Sequence, residues 1–174
     1  MGTQHTLSAL VENKPGVLSR VAGLFSRRGF NIESLAVGPT ERPDYSVITL
    51  RVDCTRHSVD QVRKQLDKLI DVIEVHEVTP DEAVERELLL VKVQAQPQQR
   101  GEVIRLAEVF NAHVVDVGAD AILLECVEHP DRLHAFEELL STYGILETVR
   151  TGRVAMRKAT LPRTDTRSLL RVAR

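Results

Sequence analysis

Residues 11–38, VENKPGVLSRVAGLFSRRGFNIESLAVG, leave this chain few possible architectures. A strand ends at Val11 and a Pro15-Gly16 turn follows. Apolar residues at 17, 18, 21, 22, 24 and 25 then share one face of a helix. Arg28-Gly29 turns the chain into a second strand over 30–37, which leaves through the turn-rich GPTERPD. The segment 45–52 alternates, with Ser46, Ile48, Leu50 and Val52 on one side and Val47, Thr49 and Arg51 on the other. That is the pattern of a half-buried antiparallel strand. Ser58 precedes a helix with Val59, Val62, Leu66 and Leu69 inward and Arg63, Lys64, Asp67 and Lys68 toward water. Residues 71–78 close as a fourth strand. With 5–11 as the first strand, the order is βαββαβ, the ferredoxin-like arrangement of an antiparallel sheet with two helices on one side.

The polar, acidic break Thr79-Pro80-Asp81-Glu82 marks a boundary. Beyond it the same order recurs: a strand over 87–94, a helix over 98–111, strands at 113–117 and 121–127, a helix over 130–143 and a last strand over 145–156. An offset of 85 residues places Gly16, Arg20, Ala22 and Phe25 on Gly101, Arg105, Ala107 and Phe110, an echo to which shared helical periodicity contributes. The fold class expected is α+β, with two consecutive ferredoxin-like domains at 3–79 and 84–158. A basic, flexible tail is expected at 159–174. Domains of this size bury a small fraction of their surface, and a sheet covered on one face leaves Val47 and Thr49 on the other. Edge strands invite pairing, so a two-fold homodimer is expected.

Charge and cysteine content narrow the function. A net charge of −2 gives no global pull toward nucleic acid or membrane, although the residues after Met156 carry +5 and the rest −7. The single-strand RNA readers built on this fold stack bases on exposed aromatics, and here aromatics are 3% of the chain. Cys54 and Cys126 have no CxxC pairing and read as buried thiols in a reducing cytoplasm. No signal pattern and no apolar run of membrane-spanning length occurs. His57, His76, His113, His129 and His134 lack metal-ligand spacing, and Ser19, Ser26 and Ser34 lie in no nucleophile turn. No GxGxxG or P-loop is present, and the acid pairs Glu82/Glu85 and Glu137/Glu138 read as solvated surface. No catalytic residue and no metal site is expected.

The first turn is different. Pro15 is expected at the first helical position, where its missing N–H costs nothing. Gly16 lets another molecule approach the backbone. Free N–H groups and the positive end of a helix dipole make a seat for a carboxylate, with Asn13 before the turn and Asn31 after the helix as amide partners. The same residues also read as an ordinary helix start and a polar strand residue. The two readings part on whether the amides and the N–H groups converge. The second half does not repeat the turn: Gln96 to Gly101 runs QPQQRG.

The run HTLSALVENKPGVLSRVAGLFSRRGFNIESLAVGPT, with KQLDKLIDVIEV after it, resembles the ACT-type regulatory domain of acetolactate synthase small subunits. RELLLVKVQA, FNAHVVDVG and TGRVAMRK are similar to that family's C-terminal domain, so the resemblance spans about residues 3 to 158. It implies a non-catalytic chain that partners a large subunit carrying thiamine diphosphate, magnesium and FAD, with no cofactor of its own. It further implies activation of that subunit and feedback inhibition by valine or another branched-chain amino acid. Carried onto matching positions, Asn13, Gly16, Val17 and Leu18 line one side of an effector site, and Asn31 and Ile32 of a second chain complete it. A free-standing tandem regulator of transcription or translation that senses an amino acid is the alternative.

Overall fold

The computed structural model of the chain describes residues 4–161. Strand β1 (Gln4–Glu12), helix α1 (Val17–Arg28), β2 (Asn31–Pro39), β3 (Tyr45–Asp53), α2 (Val59–Leu66) and β4 (Val72–Val78) follow in the expected order. All pairings are antiparallel, in the spatial order β2-β3-β1-β4. The interior holds Leu7, Ala9, Val21, Phe25, Ile48, Leu50, Val62 and Leu66, the inward residues of the strands and the apolar stripes of the two helices. Phe25 meets Phe30 edge to face, with ring centroids 5.6 Å apart.

Strand β5 (Ala83–Gln94), α3 (Arg100–Val109), β6 (His113–Val117), β7 (Ala121–Glu128), α4 (Pro130–Leu140), β8 (Ile145–Arg150) and β9 (Val154–Arg157) repeat the plan. Their spatial order is β6-β7-β5-β8, with β9 also on β5. A separate core of Leu89, Val91, Val103, Ile122, Leu124, Leu133, Phe136 and Leu140 fills this half. Cys54 and Cys126 are both buried free thiols, and desolvation pushes each up from its ordinary value.

Three details differ from the sequence reading. The expected last strand of 145–156 is two strands, because Gly152 takes a φ of 79° that breaks the run between β8 and β9. Among the described residues, the chain forms one compact unit of Glu85–Arg153 and another of residues 4–84 together with 154–161. Backbone and side chain hold the join: Lys158 N–H donates to Glu82 O at 2.9 Å, and Lys158 Nζ donates to Asp81 O at 2.9 Å. Second, the far face of the first sheet is partly covered, by residues of β9. Val47 and Thr49 line a cavity of about 490 Å³ together with Ala36, Val37 and the β9 residues Val154 and Met156, and Thr49 is 4% exposed. Third, Glu85 and Glu137 are not solvated: Arg153 pairs with the buried Glu85 at 3.2 Å, and Arg150 bridges the buried Glu87 and Glu137. Pairing is what lets such carboxylates sit inside. The expected tail at 159–174 lies almost wholly outside the described residues.

Helix α2 shows how local sequence sets an element. Ser58 caps it by a capping box, its Oγ accepting from Gln61 N–H while the Gln61 side chain accepts from Ser58 N–H. Ser58→Ala is expected to cost about 1 kcal/mol, as loss of such a cap usually does, visible as a lower urea midpoint at unchanged slope. In the first turn, Lys64 and then Arg63 hold the Asp60 carboxyl below its ordinary value. A lowered folded value stabilises above the unfolded carboxylate range of roughly 4 and is lost as pH falls through the folded value. A carboxyl titration followed by NMR is therefore expected to move up in Lys64→Gln.

Candidate functional site

The β1–α1 connection is tighter than a proline-started helix. Gly16, not Pro15, flanks the helix, with φ 87° and ψ −9°. Val17 N–H reaches Lys14 O at 3.4 Å. Pro15 and Gly16 are thus the two central residues of a turn in which the second must have positive φ, the type II pattern. Val17 is the first helical residue, which corrects the expected place of Pro15. A genuine proline at the helix start occurs at Pro130 of α4.

This turn leaves donors bare. No side chain caps α1, and no acidic residue lies in its first turn. Val17 and Arg20 N–H groups bond to Lys14 O and Gly16 O. Among the described residues the N–H groups of Gly16, Leu18 and Ser19 have no acceptor, as at any uncapped helix start. Asn13 is fixed beside them: its N–H donates to Asp44 O at 2.7 Å and its Nδ2 donates to Pro43 O at 2.9 Å, leaving Oδ1 as a free acceptor. Val17 is buried and Leu18 is 44% exposed, so one anchors the turn and the other faces outward.

Asn13, Gly16, Val17 and Leu18 are therefore together, but Asn31 and Ile32 are not with them. Glu12, next to Asn13, pairs with Tyr45, whereas Asn31 pairs with Asp53 at the other end of β3. Eight residues of strand separate the two ends, roughly 27 Å at about 3.4 Å per residue. Within one chain the two asparagines cannot share a ligand. Ile32 is half-buried and packs against the first core.

Sequence reasoning missed two residues at this turn. Arg20 Nε donates to Asp71 Oδ2 at 2.6 Å, and the Asp71 side chain is only 10% exposed. Asp71 O in turn accepts from Glu12 N–H at 2.9 Å. Asp71 precedes β4 rather than opening it. The available signal was Arg20 itself, a cation four residues past Gly16, near the end of a helix that favours anions.

Two half-chains of the ferredoxin-like plan, the first with a glycine-bearing β1–α1 turn and bare backbone donors, define a two-domain chain whose first domain is of the ACT type. Residues 7–74 match the family model described as an AHAS small subunit-like ACT domain, and residues 86–159 match that described as the small subunit of acetolactate synthase. The probable acetolactate synthase small subunit of Archaeoglobus fulgidus is 54% identical over 153 residues, 88% of this chain and 96% of its own. The acetolactate synthase small subunit of Mycolicibacterium smegmatis is 48% identical over 87% of this chain and 89% of its own. The crystal structure of the small subunit from Thermotoga maritima superposes with a TM-score of 0.83 at 37% identity, covering 91% of this chain and 99% of that one. The chain belongs to the acetolactate synthase small subunit family. No described helix is long and apolar enough to cross a membrane.

Proposed function

We propose that this chain is the regulatory subunit of acetolactate synthase. It raises the activity of a large subunit that carries thiamine diphosphate, magnesium and FAD, and it confers inhibition by a branched-chain amino acid, foremost valine. The observation that carries this reading is the sheet register. β2 is an edge strand, and it runs from Asn31 at the Asp53 end to Pro39 at the Ser46 end. Two copies paired antiparallel through β2 about a two-fold axis set Asn31 and Ile32 of one beside Pro39 of the other, the same end as Asn13 and Gly16. Residues about 27 Å apart in one chain then meet across two.

In that seam the effector's carboxylate meets the N–H groups of Gly16, Leu18 and Ser19, and its ammonium meets Asn13 Oδ1. Its branched side chain lies on Leu18 and the opposing Ile32. A methylene in such a pocket is worth about 1–3 kcal/mol, so valine, leucine and isoleucine are graded rather than sharply separated. A coupling of roughly 1–3 kcal/mol between occupancy and the large subunit gives about 5–150-fold inhibition.

The test is reconstitution. Acetolactate output by the large subunit is expected to rise on adding this chain and fall again on adding valine, and calorimetry on the chain alone is expected to show valine binding. A chain that forms no complex and leaves the output unchanged, yet binds an amino acid, is instead the free-standing regulator.

A further inference from the structure

We propose that Arg20, held in place by Asp71, is the side chain that recognises the effector's carboxylate, an inference that rests on the effector site just described and assigns its charge specificity. A guanidinium carries five N–H donors in a fixed plane. One of them, at Nε, is committed to Asp71 Oδ2 at 2.6 Å. Among the described residues the Nη groups have no partner.

Their position is what matters. A Cβ placed on Gly16 would lie 3.4 Å from Arg20 Nη1 and 3.9 Å from Cζ. The space left empty by the missing side chain of Gly16 is thus bounded on one side by the spare donors of Arg20. The bare backbone N–H groups of the α1 start open beside it. The Arg20 side chain is half-exposed, so a small ligand reaches it, whereas Asp71 is nearly sealed. Asp71 is held from the other side through its own backbone, which accepts from Glu12 at the end of β1. The guanidinium is therefore oriented by a fixed carboxylate rather than left to sweep through solvent. Its remaining edge offers the two parallel N–H bonds that suit a planar carboxylate. The electrostatics agree. A cation next to a helix N-terminus is unfavourable against the dipole, and a second carboxylate seated there relieves both the bare N–H groups and Arg20.

A neutral amide of the same shape is the informative probe. Valinamide keeps the ammonium and the branched side chain but has no negative charge. Calorimetry on the full chain is expected to give wild type at least a hundredfold preference for valine over valinamide. In Arg20→Gln that preference is expected to shrink by tenfold or more, because valine weakens while valinamide does not. Arg20→Lys restores charge without the planar fork and is expected to fall between. Asp71→Asn loosens the guanidinium and is expected to weaken valine several-fold. An unchanged valine-to-valinamide ratio in Arg20→Gln, or in Arg20→Lys where the glutamine variant melts below the assay temperature, overturns the assignment, since a merely structural arginine weakens both ligands alike. A wild-type chain that binds no branched-chain amino acid overturns the effector site as well.

Discussion

Gly16→Asp is expected to leave the holoenzyme almost insensitive to valine, with the half-inhibitory concentration raised by about 100-fold or more. Three effects act at one atom. The φ of 87° at Gly16 is a left-handed conformation that costs most residues roughly 1–2 kcal/mol and aspartate less. A new Cβ meets Arg20 Nη1 at 3.4 Å, ordinary contact, so the side chain fits. Its carboxylate then takes the donors the effector needs and repels the effector's own charge. Two like charges about 4 Å apart at an effective dielectric of 20 interact by about 4 kcal/mol. Exposure of the Arg20 side chain argues for discounting that to roughly 3 kcal/mol, or about 100-fold. Gly16→Ala separates the contributions, having the same Cβ and at least as much backbone strain without the charge. It is expected to shift the valine titration by less than about tenfold. Valine titrations of acetolactate output for the three proteins check this, and superimposable curves for wild type and Gly16→Asp remove Gly16 from the site.

The elements were legible because their signals are local. Alternation at 45–52 and the helical stripe from Val17 to Phe25 each follow from side-chain spacing, and β3 and α1 form where the spacing placed them. Ser58 and Gln61 likewise carry their cap three residues apart. What escaped depends on separation along the chain. The Arg20–Asp71 pair joins residues 51 apart, and the Arg150–Glu87 pair joins residues 63 apart. Neither residue type distinguishes a paired charge from a solvated one. Pro15 was misplaced for a different reason. Proline suits both the first helical position and the second position of a type II turn, and only the positive φ of Gly16 decides between them. The four turn residues of the candidate site share one short motif, so their proximity is legible in the sequence. That Asn31 sits at the opposite end of the sheet follows only from register, which a periodicity argument does not give.

Phe136→Ala is expected to unfold the Glu85–Arg153 unit at a much lower temperature while leaving effector binding in place. Phe136 is fully buried and stacks on Phe110 with ring centroids 4.9 Å apart. Deleting a buried phenylalanine costs about 3–5 kcal/mol, because the ring's transfer energy is lost and a cavity remains. The whole stability of a domain this small is only roughly 3–10 kcal/mol, so the substitution removes a large part of it. A midpoint shift of about 15–30 °C follows from the usual dependence for small domains. The two interiors share no residue, one built on Phe25 and Leu50, the other on Phe136 and Leu124. Gly16, Arg20 and Asp71 all lie in the compact unit that contains the first interior. Calorimetry is therefore expected to show an early transition split from a later one, with valine still bound between them. A single transition that moves as a whole, taking valine binding with it, would show instead that the effector site depends on both interiors.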